Sequence, residues 1–154
     1  MLVAEASCMR TDLLSTMGLA AISGARSALG PALVVAERRR VGRWRSFVYA
    51  LAAAELIADK LPVTPSRIAP GPLLGRCASG AWVGATRTPG GSRAKATAAL
   101  FGAFAALGGA FASHRLRRGL NHVMGEGAIG NVAAGTLEDG LALILGAGLV
   151  HRAS

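Results

Sequence analysis

Apolar residues gather along this chain in five blocks, at 12–36, 44–61, 71–86, 96–118 and 129–150. Short stretches rich in arginine, proline or glycine separate them, and each block is expected to form a helix. Small residues recur within the blocks at four-residue steps. Ala20, Gly24 and Ala28 do so in the first, and Ala98, Gly102, Ala106 and Ala110 in the fourth. Gly71 with Gly75 and Gly80 with Gly84 form two Gly-x-x-x-Gly pairs in the third. Such stripes let helix backbones approach closely inside a bilayer. Gly24, Gly75, Gly80, Gly84 and Gly102 are therefore the candidate packing positions.

The punctuation predicts where the helices end. Asp12 is the expected cap of the first helix, which leaves residues 1–10 as an unstructured extension, with Met9 as an alternative start. Gly30-Pro31 predicts a kink or break inside the first block, with neighbouring groups needed to satisfy the freed carbonyl. Trp44 and Tyr49 open the second block at positions suited to a membrane interface. Pro62, Pro65, Pro70 and Pro72 form a rigid connector, and Arg87 to Lys95 a flexible linker. In the third block Arg76 is expected to snorkel to headgroups. Whether that block crosses the membrane is left open.

The last block carries the sharpest conflict. Its 22 residues match the roughly 20 that a spanning helix needs, yet Glu138 and Asp139 sit side by side near its middle. Each aliphatic residue favours insertion by ~0.3–0.6 kcal/mol, whereas a central Asp costs ~2.5–3.5 kcal/mol. The sum is close to zero, so this helix needs partners within the membrane.

Composition agrees with that setting. The 154 residues are 52% hydrophobic and only 16% charged, against about 25% charged in a soluble domain. The expected fold is all-α: a polytopic transmembrane bundle of four to five spans, forming a single domain over 11–150. A bacterial inner membrane is the expected location. The net charge of +9 raises the question of nucleic acid. However, the basic residues cluster at block ends, as Arg38, Arg39, Arg40, Arg43 and Arg45 and again as Arg115, Arg117 and Arg118. That is the distribution of topogenic flanks facing anionic lipid, with few aromatics to stack on bases. The lipid bilayer is the expected partner, with no nucleic acid. Lys and Arg divide nine to six between the two sides of a five-span chain, which sets the Arg38 loop weakly on the cytoplasmic side.

Residues 20–40 align without a gap on 98–118, and ten of the 21 positions are identical, Arg39-Arg40 against Arg117-Arg118 among them. In both halves the next block carries acid, Glu55 and Asp59 first, Glu138 and Asp139 second. With one span between the pairs, the two aligned helices are expected to run in opposite directions as an inverted repeat, an arrangement found in transporters.

GlyLeuAlaAlaIleSerGlyAlaArgSerAlaLeuGlyPro at 18–31, GluLeuIleAlaAspLysLeuPro at 55–62, ArgIleAlaProGlyProLeuLeuGly at 67–75 and LeuGluAspGly at 137–140 resemble a family of small multi-pass bacterial membrane proteins, domain of unknown function family 4126. The resemblance covers residues 14 to about 150, with a shorter and more proline-rich connector here. It implies a membrane location and a helical fold. It implies no substrate, because that family carries no assigned activity.

The candidate polar site is Arg26, Glu55, Asp59, Glu138 and Asp139, since ionisable groups at bilayer depth face the bundle interior and mark function. One arginine among several acids predicts an Arg26–Glu55 or Arg26–Glu138 pair and a spare carboxylate. A spare carboxylate in low dielectric favours its neutral form and can exchange a proton. A proton- or cation-coupled carrier or channel for a small solute or ion follows, with Glu55 and Glu138 lining the path. The rival reading is a scaffold or assembly protein, a homo-oligomer joined through its small-residue stripes, in which the charges only fix packing. Cys8 and Cys77 give no disulfide or zinc framework, and His114, His122 and His151 fall at block ends. No metal, cofactor or catalytic residue is expected, and no enzyme.

Overall fold

The computed structural model describes residues 2–37, 42–58, 69–125 and 127–153, with side chains from residue 13 onward apart from 58, 124, 128, 131, 152 and 153. Among the described residues the chain is all-α, with six helices: α1 (Leu2–Ala25), α2 (Leu29–Glu37), α3 (Arg43–Ala58), α4 (Pro70–Arg87), α5 (Ser92–Met124) and α6 (Ala128–Ala153). Asp59, Arg38–Arg40 and the connector from Pro62 to Pro65 lie outside the described residues.

Several boundaries differ from expectation: α4 takes in Pro70 and Pro72 of the expected connector, and α5 starts at Ser92, inside the expected linker, and runs on to Met124. Helix α1 begins at Leu2, ahead of Asp12, so residues 2–10 are helical and not an unstructured extension. They contain neither Gly nor Pro, and nothing there interrupts the hydrogen-bond ladder. The first block is also two helices, divided at Arg26–Ala28. Pro31 causes this one turn upstream of itself. It has no N–H to give the Ser27 carbonyl, and its ring clashes there. Pro31 then sits in the first turn of α2, where an N–H has no intrahelical partner anyway.

The break is a reversal and not a kink. Gly30 lies against α1, where an added Cβ would stand 2.8 Å from the Leu19 carbonyl oxygen and would also meet Ser23. At the other end of the pair, Arg87 of α4 reaches Ser15 and Thr16 of α1 and Glu37 of α2 together. So α2 returns alongside α1, and the two form a fold-back hairpin with its tip at residues 26–28.

Contacts fix the remaining directions. Gly24 packs on Ala106 and Ala110, and Gly109 on Ala21. Gly80 meets Gly102 and Gly84 meets Ala98, which makes α4 and α5 antiparallel. Gly18 meets Leu149 while Arg26 meets Asp139, so α6 is antiparallel to α1. Arg76 meets Gly24 while Arg87 meets Thr16, so α4 is antiparallel to α1 as well. Helices α1 and α5 therefore run parallel. The expected inverted arrangement of the two aligned stretches is corrected: the reversal at residues 26–28 adds one pass and changes the parity. A positive φ at Gly125 (φ 91°) turns the chain from α5 into α6.

Gly24, Gly80, Gly84 and Gly102 all lie where a Cβ would strike a neighbouring backbone. Gly75 is different, since among the described residues nothing stands within 4 Å of its Cβ position. It lies one residue off the buried face of α4, which carries Arg76, Gly80, Val83 and Gly84. Leu19, Ala20, Ile22, Leu29, Val34, Val83 and Ala142 form the main apolar core around the hairpin.

Candidate polar site at the hairpin tip

A reversal in three residues leaves backbone groups without helical partners. The N–H groups of Ser27 and Ala28 turn away from the carbonyls of α1, and the Gly24 carbonyl loses its donor. Charged side chains from other helices take up these groups. The Ser27 N–H and hydroxyl both donate to one oxygen of Glu55, each at 2.8 Å, and the Ala28 N–H donates to the other at 2.7 Å. A carboxylate is thus set at the N-terminal end of α2, where the helix dipole favours negative charge. Arg76 Nη1 donates to the Gly24 carbonyl at 3.0 Å, placing positive charge at the C-terminal end of α1.

Arg26, at the tip, is 1% exposed. Its Nε donates to Asp139 Oδ1 at 2.7 Å, and its Nη2 pairs with the same oxygen. Neighbouring Glu138, 3% exposed, points elsewhere and meets Arg117 Nη1 at 3.4 Å. The ~100° step between adjacent helix residues explains why the two acids find separate partners. Arg26 is held by Asp139, whereas the expected partner is Glu55 or Glu138, and Glu55 accepts instead from Ser27 and Ala28. Among the described residues Glu55, Glu138 and Asp139 are each met by an arginine or by backbone N–H groups, so none of these three is the expected spare carboxylate. Three acids and three arginines gather here, at the level of the middle of α5 and α6.

Arg76 and Arg117 belong to the site, although one reads as a snorkelling residue and the other as a flank. Their signal was position on a stripe. Arg76 precedes Gly80 and Gly84 at four-residue steps, and Gly102, Ala106, Ala110, Ser113 and Arg117 continue one face of α5. A second polar cluster closes the open end of the hairpin, where Arg87 pairs with Glu37 and donates to Thr16 and Ser15 Oγ at 3.2 Å each.

Around this interior the exterior is apolar. Phe104 is 67% exposed and Ile144 71%, while Arg26, Arg76, Glu138 and Asp139 are all buried. Among the described residues, no group of three or more His, Cys, Asp or Glu could hold a metal ion.

Fold and site together define an all-α protein with a charged interior, in which Ser92–Val123 and Val132–His151 are long and apolar enough to cross a membrane. No family model, curated protein or solved structure matches the chain.

Proposed function

We propose that the chain is a multi-pass integral membrane protein in which α1 and α2 form a re-entrant hairpin, and that it is a small proton- or cation-coupled carrier or channel. The observation that carries this reading is the broken helix, with both loose ends held by charged side chains level with the middle of two membrane-length helices. Irregular backbone is tolerated at bilayer depth only where protein or a water-filled path surrounds it, and transporters build midplane sites from such ends. The inversion of charge and apolar surface supports the membrane setting. Only 22% and 33% of the two apolar windows is buried, whereas a soluble core helix is mostly buried. Arg43, Arg45, Arg87, Arg93 and Lys95 belong to the end where the hairpin opens, which favours a cytoplasmic position for that end. A bacterial inner membrane and membership of family 4126 are part of the same proposal.

Reconstitution into liposomes tests it. Glu138→Ala is expected to abolish proton or cation flux and leave membrane insertion intact. Equal flux from the variant and the parent would refute the reading.

The scaffold reading draws on one specific observation, that every buried acid described is already neutralised. Such pairs can fix helix register without transport. Under that reading Gly80→Leu and Glu138→Ala change expression and oligomeric state, and the parent carries no flux.

A further inference from the structure

A groove of about 270 Å3 lies between α2, α3 and α4. Trp44, Phe47 and Leu51 of α3 and Ala78 and Trp82 of α4 line it, with Pro31 of α2. Trp44 and Phe47 are stacked, their ring centroids 5.6 Å apart, and both are more than half exposed. Among the described residues none that lines the groove is ionisable. Its inner end is the hairpin tip, where Ser27 and Ala28 line it and Glu55 takes their amides. Its outer end follows from helix length. Arg43 and Arg45 precede Glu55 by twelve and ten residues in α3, hence by about 15–18 Å at ~1.5 Å per residue. Half of a ~30 Å hydrocarbon core is about 15 Å. With the tip at the middle of the bilayer, both arginines stand at headgroup level, and the ~100° helical step places one on each side of Trp44. Their charge is unmatched. Among the described residues no carboxylate meets either guanidinium, and Glu37, the acid at that end, pairs with Arg87. Arg45 Nε donates to the Tyr49 hydroxyl at 3.1 Å, and its guanidinium lies 5.3 Å from the Tyr49 ring centroid. That contact holds the group in place and leaves its charge intact.

We propose that this groove seats one acyl chain of an anionic phospholipid whose phosphate lies between Arg43 and Arg45. The aromatic and aliphatic walls favour hydrocarbon and offer a polar ligand nothing. A volume just below the ~300–1,000 Å3 of sites for drug-sized molecules suits one narrow chain better than a ring system. A headgroup of net negative charge complements the two guanidinium groups, and arginine donates to phosphate oxygens in pairs. Zwitterionic lipid carries the same phosphate, but its ammonium group brings positive charge to a positive mouth. A free phosphate leaves the walls unfilled. The site differs from the general attraction of a basic flank to an anionic surface, because one molecule is fixed both at the arginines and at the hairpin tip. The inference rests on the membrane setting proposed above and gives the hairpin a lipid partner.

The chain has two tryptophans, Trp44 and Trp82, and both line the groove. Quenching of their fluorescence by acyl-brominated lipid tests the proposal on the full chain in phosphatidylcholine bilayers. Brominated phosphatidylglycerol is the anionic probe and brominated phosphatidylcholine its zwitterionic control. Trp44→Phe keeps an aromatic ring beside Phe47 and leaves Trp82 as the sole reporter. The anionic lipid is expected to quench Trp82 at about twentyfold lower mole fraction than the control, with about fivefold from each arginine. Arg43→Gln with Arg45→Gln should remove that preference. Ala78→Phe, which fills the groove from an exposed position on α4, should remove it with both arginines in place. Equal quenching by the two lipids, or a preference that survives in either variant, overturns the proposal. The comparison of the two lipids stands even if a variant fails to fold. Quenching of the parent but not of Trp44→Phe would mean that protein covers Trp82, a second copy or another segment of the chain, and overturns it as well. No quenching of the parent by either lipid would overturn the membrane setting itself, which the other failures leave standing.

Discussion

Two stretches of this molecule start out parallel and share much of their sequence, yet one doubles back while the other runs straight. Residues 20–37 turn at 26–28, whereas 98–115 continue unbroken through α5. The difference concentrates at two aligned pairs. Pro31 stands opposite Gly109, and only the proline strips a carbonyl of its donor and forces the chain off the helix. Arg26 stands opposite Phe104, so the tip of one stretch carries a buried charge where the other presents an aromatic ring outward. A single proline is thus insufficient as an account of the hairpin. The break has to be held, and Glu55, Arg76 and Asp139 hold it. Small residues at equivalent positions serve both shapes, since Gly109 must stay small to let the Ala21 backbone approach.

The comparison can be broken most forcefully at the tip. Arg26→Leu removes the guanidinium paired with buried Asp139, and should cost about 3–5 kcal/mol. Unfolding in detergent micelles reads the loss, and Arg26→Leu with Asp139→Leu should recover most of it. A loss below about 1 kcal/mol for the single variant would mean that the pair does not hold the tip. Next in size are Gly30→Ala and Gly108→Ala, which change the same aligned position. The first drives a methyl into Ser23 and the Leu19 carbonyl and should cost about 1–3 kcal/mol. The second points into open space and should stay within about 0.5 kcal/mol. Equal effects would erase the distinction between the two stretches. A smaller effect than at Arg26 or Gly30 is expected from Glu55→Gln, which keeps acceptor geometry on one side and removes the charge at the start of α2, worth about 1 kcal/mol. Hydrogen exchange should quicken at the Ser27 and Ala28 amides and stay unchanged at Phe104 and Ala106.

Much of the framework was legible in the apolar blocks, because each block is a run of helix-compatible residues ended by proline, glycine or a basic cluster. Direction was not. The parity of the bundle depends on three residues, and Pro31 signals a break without saying whether the chain bends or returns. Gly30 decides that through contacts with Leu19 and Ser23, which follow only once α2 lies against α1. The acids at 55, 138 and 139 stood out for their cost in an apolar run. Their partners did not, since pairing depends on helix rotation, and Arg76 and Arg117 looked like residues near helix ends. The four-residue steps that lead from Gly84 and Gly80 to Arg76, and from Ala106 and Ala110 to Arg117, were the available clue. Asp59 lies outside the described residues, and no role is assigned to it.

The Arg26–Asp139 pair also bears on how the molecule is made. Arginine and aspartate are separated by 113 positions in the chain, so at about 5–20 residues per second the ribosome reaches the second roughly 6–23 s after the first. During that interval Arg26 lacks Asp139, so the hairpin tip is without one of the side chains that hold it. Helix α6 therefore completes α1, and under the membrane reading proposed above a nascent chain halted before α6 should leave α1 and α2 waiting at the bilayer surface or with the insertion machinery.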